Sequence, residues 1–173
     1  MFKKLLGFSE SKNYWLVLLV FAVGLELSAL FYQYVLNYLP CVLCIHVRVW
    51  LSGIIVIALL ALKFYSNKNA RVVLHLTTAF IFAGLFERSY QLLGTERGFV
   101  FGDCNMDSGL PAWFPLDDWL PSVFKVWEAC GYTPELLFGI TMAEALIVLS
   151  VILLMLSITY TIYSGVKLFI KKR

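Results

Sequence analysis

Two cysteines separated by two residues, Cys41 and Cys44, are the side chains of this chain best suited to redox chemistry. Thiols at this spacing can close a small, reducible disulfide, which makes them candidates for passing electron pairs as well as for holding a fold together. Cys44 falls near the expected start of a helix, where backbone N–H groups and the helix dipole favour a thiolate. Arg48 lies one turn further along the same helix face, where its charge can stabilise that thiolate or an anion that develops on a bound acceptor. The alternative role for Arg48 is an anchor that reaches the lipid headgroups.

Cys104 and Cys130 complete the cysteine set of the chain. Four cysteines allow three pairings, and the spacing alone does not choose between them. A structural zinc site would need all four sulfurs to converge, but Cys104 and Cys130 are not a close pair, so we expect no metal. Two purely structural disulfides are a further alternative, although a Cys-x-x-Cys disulfide closes a loop too small to add much stability. We therefore favour a redox role for all four cysteines.

Long apolar runs indicate that the chain is an integral membrane protein. Of its 173 residues, 61% are hydrophobic and 14% are charged, against about 45–50% and about 25% in soluble domains. Runs long enough to cross a hydrocarbon core of about 30 Å as helices cover about residues 14–36, 44–62, 72–93 and 143–169. A cleaved signal peptide is the alternative for the first run, but that run is too long and no small-residue cleavage site follows it. We predict an all-α bundle of four transmembrane helices, a single membrane domain over residues 1–173, with loops at about 37–43 and 94–142.

The distribution of charge predicts the orientation of this bundle. Three groups of basic residues, near the start of the chain, between the second and third helices and near the end of the chain, fall on one side of a four-helix count, which is the cytoplasmic side by the positive-inside rule. On the other side, the acidic residues of the long loop outnumber Arg97 and Lys125. The long loop on the other side is acidic, and no basic patch interleaved with aromatic residues suggests nucleic acid as a partner. All four cysteines therefore lie on the outer side, which in a bacterium is the periplasm, where disulfides persist. The basic residues are Lys3, Lys4, Lys12, Lys63, Lys68, Arg71, Lys167, Lys171, Lys172 and Arg173.

Aromatic and leucine side chains recur at helical spacing within the long loop. They predict a helix that lies on the membrane surface, because tryptophan is enriched at membrane interfaces. Pro121 falls inside this stretch and predicts a break into two short pieces. The residues of the pattern are Trp113, Leu116, Leu120, Phe124 and Trp127.

Glu26 is the one charged residue of the first apolar run. A carboxyl group at that depth is expected to face other helices or a polar cavity, because exposure to lipid is costly. We expect a protonated or hydrogen-bonded packing residue rather than a direct role in chemistry.

Three stretches of the chain together resemble one known family. The chain is similar to the DsbB family in three places. They are Pro40-Cys41-Val42-Leu43-Cys44 with Arg48, the segment Leu25-Glu26-Leu27 with Ala29-Leu30, and the loop from Trp113 to Phe124. Members of that family are quinone-dependent oxidases that regenerate the periplasmic dithiol oxidase DsbA. The resemblance spans nearly the whole chain.

The resemblance implies a relay of electrons through the four cysteines. A reduced DsbA-like partner would attack a Cys104–Cys130 disulfide at Cys104, and Cys130 would then exchange with Cys41. Cys44 would be left as a thiolate beside a ubiquinone or menaquinone, which Arg48 would help to polarise. The implied partners are the DsbA-like protein, the quinone pool and the lipid bilayer of the bacterial inner membrane.

Some positions depart from the family pattern and leave other classes to consider. Val47 replaces an acid or polar residue, His46 stands where an aromatic is frequent, and Gln91 lies where some members carry a histidine near the quinone. These departures concern the preference for a quinone and not the class of reaction. The alternatives are a four-helix protein of the vitamin K epoxide reductase type, whose redox cysteines are ordered differently, and a scaffold with two structural disulfides.

Overall fold

Four long helices and a folded loop make up the part of the chain that the structure describes. This computed structural model covers residues 6–101, 106–137 and 139–170, so Cys104 lies outside the described residues. Four helices are long and apolar enough to cross a membrane, which confirms the predicted four-helix membrane fold. The elements in chain order are α1 (Lys12–Tyr34), α2 (Val42–Phe64), α3 (Lys68–Arg97), α4 (Leu116–Trp119), α5 (Pro121–Phe124), β1 (Glu135–Leu137), β2 (Ile140–Thr141) and α6 (Met142–Ile170).

Local signals decide where these helices begin and end. Asn37, with a positive φ of 58°, takes the chain out of α1 earlier than the apolar run suggests. Asn67 caps α3 by accepting backbone N–H groups of its first turn. Gly98 ends α3 in the left-handed conformation, with φ 75°, so that this helix extends beyond the predicted residue 93. Thr141 and Glu144 form a reciprocal capping box at the start of α6, with bonds of 3.0 and 3.3 Å.

The helices pack in the order α1, α2, α3 and α6, which leaves a gap between α1 and α6. The contacts are most extensive between α3 and α6, and α2 packs against both α1 and α3. In the described part of the chain, α1 and α6 make few contacts with each other. Gly84 on α3 allows close approach to α2, because the ring of Trp50 occupies the space that a Cβ atom at position 84 would need. The core between α1, α2 and α3 consists of Trp15, Leu18, Ala22, Val47, Leu51, Ile54, Ala61, Leu74, Ile81, Phe82 and Leu85.

The long loop folds back onto the end of the bundle that carries Cys41, which we call the cysteine end. Its two four-residue helices, α4 and α5, meet at Leu120, and Pro121 is the first residue of α5, so the predicted break into two pieces is confirmed. Their contact with the bilayer remains a prediction. Phe124 and Val126 are buried against the start of α2. A short antiparallel hairpin of β1 and β2, which we did not predict, leads from the loop into α6.

Candidate redox site

Cys41 is the N-cap residue of α2, and its side chain lies against that of Cys44. The Sγ atom of Cys41 accepts the backbone N–H of Cys44 at 3.3 Å, in the way that short polar side chains cap helices. The two Sγ atoms are 2.8 Å apart and share a hydrogen bond. Cys44 is therefore in the first turn of the helix, as predicted, but its own N–H group is used by the sulfur of Cys41. Only 3% of the surface of Cys41 is exposed.

A segment of the long loop brings Cys130 to the other side of Cys41. The N–H of Trp127 donates to the carbonyl oxygen of Pro40 at 3.0 Å, and Glu128 forms a parallel bridge with Cys41. The side chain of Cys130 is hydrogen-bonded to that of Cys41. Cys41 thus contacts both of the other cysteines that the structure describes.

These contacts make Cys41 a weaker acid than an ordinary cysteine. The hydrogen bond with Cys130 lowers the pKa of Cys41, but the hydrogen bond with Cys44 and the burial of the thiol raise it more. The net effect is a raised pKa, so reduced Cys41 keeps its proton at neutral pH.

Arg48 is buried in protein, with 4% of its surface exposed. Its Nη1 atom donates to Gln33 Oε1 at 2.6 Å and to the carbonyl oxygen of Val123 at 2.8 Å. Its Nη2 atom donates to the carbonyl oxygen of Ala29 at 3.1 Å. The guanidinium therefore faces protein oxygen atoms instead of reaching for the headgroups, and it interacts electrostatically with Cys44.

Three side chains from α1 and α2 hold α5 in place through its backbone. Ser122 offers its carbonyl oxygen to the hydroxyl of Tyr34 at 2.6 Å and to the amide of Gln33 at 3.4 Å. The carbonyl oxygen of Val123 accepts from Arg48. We call this set of bonds the loop clamp. The loop clamp ties the segment that leads to Cys130 to the membrane helices. It also satisfies carbonyl groups that a four-residue helix leaves unpaired.

A cavity of about 330 Å³ lies in the gap between α1, α2 and α6, with the loop as its outer wall. Its walls are mainly apolar, and Cys44 and Arg48 both line it, as their spacing on one helix face predicted. A concave, mostly apolar site with few polar groups is typical of a site for a small organic molecule. At the rim, the rings of Tyr38 and Tyr132 stack with centroids 6.4 Å apart, and the nearby Tyr38 raises the pKa of Tyr132. The polar or ionisable lining residues are Ser28, Tyr32, Tyr38, Cys44, Arg48, Glu128 and Tyr132.

Glu26 lies within the bundle and interacts electrostatically with Arg48. Both of its carboxyl oxygens are buried, and neither has a hydrogen-bond partner among the described residues. The carboxyl group does not line the cavity. Of the two expected forms of this packing residue, the hydrogen-bonded one has no partner among the described residues, and the protonated one stays a prediction.

His46 joins α2 to the loop, a contact that we did not predict. Its Nε2 atom donates to the carbonyl oxygen of Ser108 at 2.8 Å, because a carbonyl oxygen can only accept. The hydroxyl of Ser108 in turn donates to Asp117 at 2.6 Å. A single histidine in a sequence carries no pattern that would indicate this partner.

Gln91 has a local role on the surface of α3. It accepts from Arg88 Nη1 at 2.9 Å, donates to Glu87 and does not line the cavity. Gln91 is therefore outside the lining that the structure shows, although its neighbour Leu92 belongs to that lining.

The structure brings together four of the five predicted site residues, Cys41, Cys44, Cys130 and Arg48, and Cys104 lies outside the described residues. Among those described, no group of three or more His, Cys, Asp and Glu residues is placed to hold a metal ion. The sequence reasoning missed Gln33. The sequence does contain a signal for Gln33, because it is a polar residue in an apolar run. It lies two helical turns after Glu26 and hence on the same helix face.

The fold and the site define a class, a four-helix membrane protein with a cysteine pair at the edge of an apolar cavity. Residues 11–160 match the profile of the family described as disulfide bond formation protein DsbB. Disulfide bond formation protein B of Shewanella denitrificans is 33% identical over 144 residues, 82% of this chain and 81% of the relative. The Shewanella frigidimarina protein of the same name is 35% identical over 138 residues, 79% of this chain and 82% of the relative. The chain belongs to the DsbB family, and it is a membrane oxidoreductase of disulfide bond formation.

Proposed function

We propose that this protein is a thiol oxidase that reoxidises a periplasmic DsbA-like dithiol protein and passes the electrons to a membrane quinone. The observation that carries the proposal is the position of Cys41. Its sulfur contacts that of Cys130 on the loop side and that of Cys44 on the cavity side. A relay between a soluble protein and a lipid-soluble acceptor needs one sulfur that can reach both pairs.

The proposed relay begins with two thiol–disulfide exchanges. A thiolate of the partner attacks Cys104 in a Cys104–Cys130 disulfide, and Cys130 leaves as a thiolate. Cys130 then attacks Cys41 in a Cys41–Cys44 disulfide, which releases Cys44 as a thiolate at the cavity. The hydrogen bond between Cys130 and Cys41 supports this direction of attack.

The second thiolate of the partner attacks the partner's own sulfur in the mixed disulfide, which completes the partner's disulfide and releases Cys104 as a thiolate. Cys104 then attacks Cys130 in the Cys130–Cys41 bond, which restores the Cys104–Cys130 disulfide and releases Cys41. Cys41 and Cys44 lose two electrons to the membrane acceptor as their disulfide forms again. The role of Cys104 rests on the sequence alone.

The cavity has the properties that a quinone requires. Ubiquinone and menaquinone both have an apolar ring and tail with carbonyl oxygens that accept hydrogen bonds. The walls supply apolar contact, and Arg48 supplies a fixed cation beside Cys44. When bound, the quinone provides an acceptor for two electrons and two protons. Arg48 would orient it and stabilise the negative charge that develops on its oxygen.

The proposed location is the bacterial inner membrane, with the cysteine end in the periplasm and both termini in the cytoplasm. Those of the supporting basic residues that the structure describes lie at the opposite end of the bundle from Cys41; they are Lys12, Lys63, Lys68, Arg71 and Lys167. Glu10 pairs there with Arg71 at 3.4 Å and with Lys167. The oxidising periplasm is also where both disulfides would persist.

The test is quinone reduction by the purified protein in detergent, with a reduced DsbA-type protein as the electron donor. The wild-type protein should reduce quinone, and the variants Cys44→Ser and Cys104→Ser should show no quinone reduction with this donor. A small-molecule dithiol should restore turnover in Cys104→Ser alone, because it can reduce the inner pair directly. Arg48→Lys should raise the KM for quinone, whereas the matched change Arg71→Lys at the opposite end should leave it unchanged.

The opposite results would contradict the proposal. If wild type with intact, oxidised cysteines leaves quinone untouched, the oxidase function fails for these substrates. A scaffold with two structural disulfides predicts that the disulfides stay oxidised when donor is present and quinone is withheld. An oxidase predicts that they accumulate in the reduced form under the same conditions.

A further inference from the structure

Glu128 is the only carboxylic acid among the described residues that line the cavity. Its backbone forms the parallel bridge with Cys41, and the neighbouring Trp127 is bonded to Pro40. These two contacts fix Glu128 at the rim, next to the cysteine pair. Glu128 is also an exposed residue. It therefore belongs both to the surface that faces the surrounding water and to the lining of the cavity.

The proposed reaction requires protons as well as electrons in this cavity. In each turnover, the partner dithiol loses two electrons and two protons as one disulfide bond forms. One quinone gains two electrons and two protons and becomes a quinol. The protons are released to water from sulfur atoms on the loop side and are needed at oxygen atoms inside the cavity, so protons must enter the cavity from the outer water.

The other polar groups of the cavity wall are poorly suited to this task. Arginine and tyrosine side chains ordinarily keep their protons at neutral pH, and the hydroxyl group of Ser28 does not ionise in that range. Cys44 leaves its disulfide as a thiolate in the proposed relay and therefore has no proton to deliver at that step. A carboxyl group both accepts and donates protons readily, and positioned carboxyl groups are common acid–base catalysts.

We propose that Glu128 carries protons between the outer water and the quinone cavity. This inference rests on the proposed quinone-reducing function and names a further catalytic residue for it. Arg48 and Glu128 then have complementary tasks as two residues of the same cavity lining. Arg48 stabilises negative charge on the quinone oxygen, and Glu128 delivers the proton that neutralises it.

The first test compares Glu128→Gln with wild type and with Glu135→Gln, a matched change on the same loop that is exposed and does not line the cavity. Glu128→Gln should lower kcat for quinone reduction by roughly a hundredfold, the lower end of what acid–base groups contribute, with little change in the KM for quinone. Glu135→Gln should behave as wild type. Glu128→Asp should recover part of the rate, and small weak acids such as formate should restore the rate of Glu128→Gln in proportion to their concentration. A wild-type kcat in Glu128→Gln, or a loss that neither aspartate nor weak acids repair, would overturn the proposal.

A second test does not depend on turnover. Dicyclohexylcarbodiimide, an apolar reagent that modifies carboxyl groups, should label Glu128 and leave Glu135 unmodified, as read by peptide mass spectrometry. A short-chain ubiquinone should protect Glu128 from the reagent. Labelling that the quinone does not change would contradict the inference even if the enzyme is active. Wild type that reduces no quinone would instead refute the proposed function, so the two failures are distinguishable.

Discussion

Replacement of Gln33 by methionine should destabilise the protein, although Gln33 does not line the cavity. Methionine has a similar volume and suits the apolar surroundings, but it cannot accept the hydrogen bond from Arg48. Each Nη atom of an arginine carries two N–H groups. Val123 accepts one from Nη1 and Gln33 accepts the other, so the substitution leaves one N–H group of a buried cation without its partner.

The expected loss follows from the geometry of this bond. The distance between Arg48 Nη1 and Gln33 Oε1 is 2.6 Å, and both residues are buried, with 4% and 6% of their surfaces exposed. Hydrogen bonds to charged groups contribute about 1.5–3 kcal/mol. The second bond of Gln33, to Ser122 at 3.4 Å, is long and adds little. We expect the free energy of unfolding to fall by about 2 kcal/mol.

The assay is unfolding by sodium dodecyl sulfate in mixed micelles, followed by tryptophan fluorescence. Gln91→Met is the matched control, because Gln91 also accepts from an arginine but lies on the partly exposed surface of α3, where a change of about 0.5 kcal/mol or less is expected. A double-mutant cycle with Arg48→Met should give a coupling energy of about 1.5–3 kcal/mol. Equal losses in Gln33→Met and Gln91→Met, or a coupling energy near zero, would refute the reasoning.

Three further changes test the packing and the cysteine site. Gly84→Ala should cost about 1–3 kcal/mol of unfolding free energy, because a methyl group there would collide with the ring of Trp50; Gly24→Ala, with no neighbouring atom within 4 Å, should cost nothing in the same assay. Trp127→Pro removes the N–H group that pairs the loop with the segment before Cys41. Acid-quenched trapping should therefore show slower disulfide exchange between the two cysteine pairs in this variant. Trp127→Ala keeps the N–H group and should exchange at the normal rate. Because the pKa of Cys41 is raised, the reduced thiol should be alkylated slowly at pH 8. The alkylation rate should keep rising well above about pH 8.5, which is the ordinary pKa of a thiol. Rapid alkylation at pH 8 would contradict this prediction.

The helices and the inner part of the site could be predicted because their signals are local. Apolar runs determine which segments cross a membrane, and Pro121 alone places the break between α4 and α5. A spacing of four residues puts Cys44 and Arg48 on one helix face whatever packs against it. The structure accordingly shows both residues on the cavity wall.

The contacts between distant segments could not be predicted in the same way. Arg48 bonds to the carbonyl oxygens of Ala29 and Val123, and every residue has a carbonyl oxygen, so no residue type indicates the partner. The position of Glu128 depends on a backbone pairing of the loop with Cys41, and the register of a single bridge has no alternating pattern behind it. Helical periodicity gives the face that a residue occupies, but it does not give the rotation of one helix against the next.

Arg48 links the loop to the cavity through one side chain. A guanidinium group within a membrane helix is costly unless oxygen atoms surround it, and α1 supplies the carbonyl oxygen of Ala29 and the amide oxygen of Gln33. The remaining acceptor, the carbonyl oxygen of Val123, belongs to the loop that leads to Cys130. Movement of α5 away from α2 would therefore break one of these bonds and shift the cation at the cavity wall. Under the proposed function, disulfide exchange on the loop and electron transfer in the cavity cannot be independent, so substitutions of Arg48 should alter the KM for the dithiol partner as well as that for the quinone.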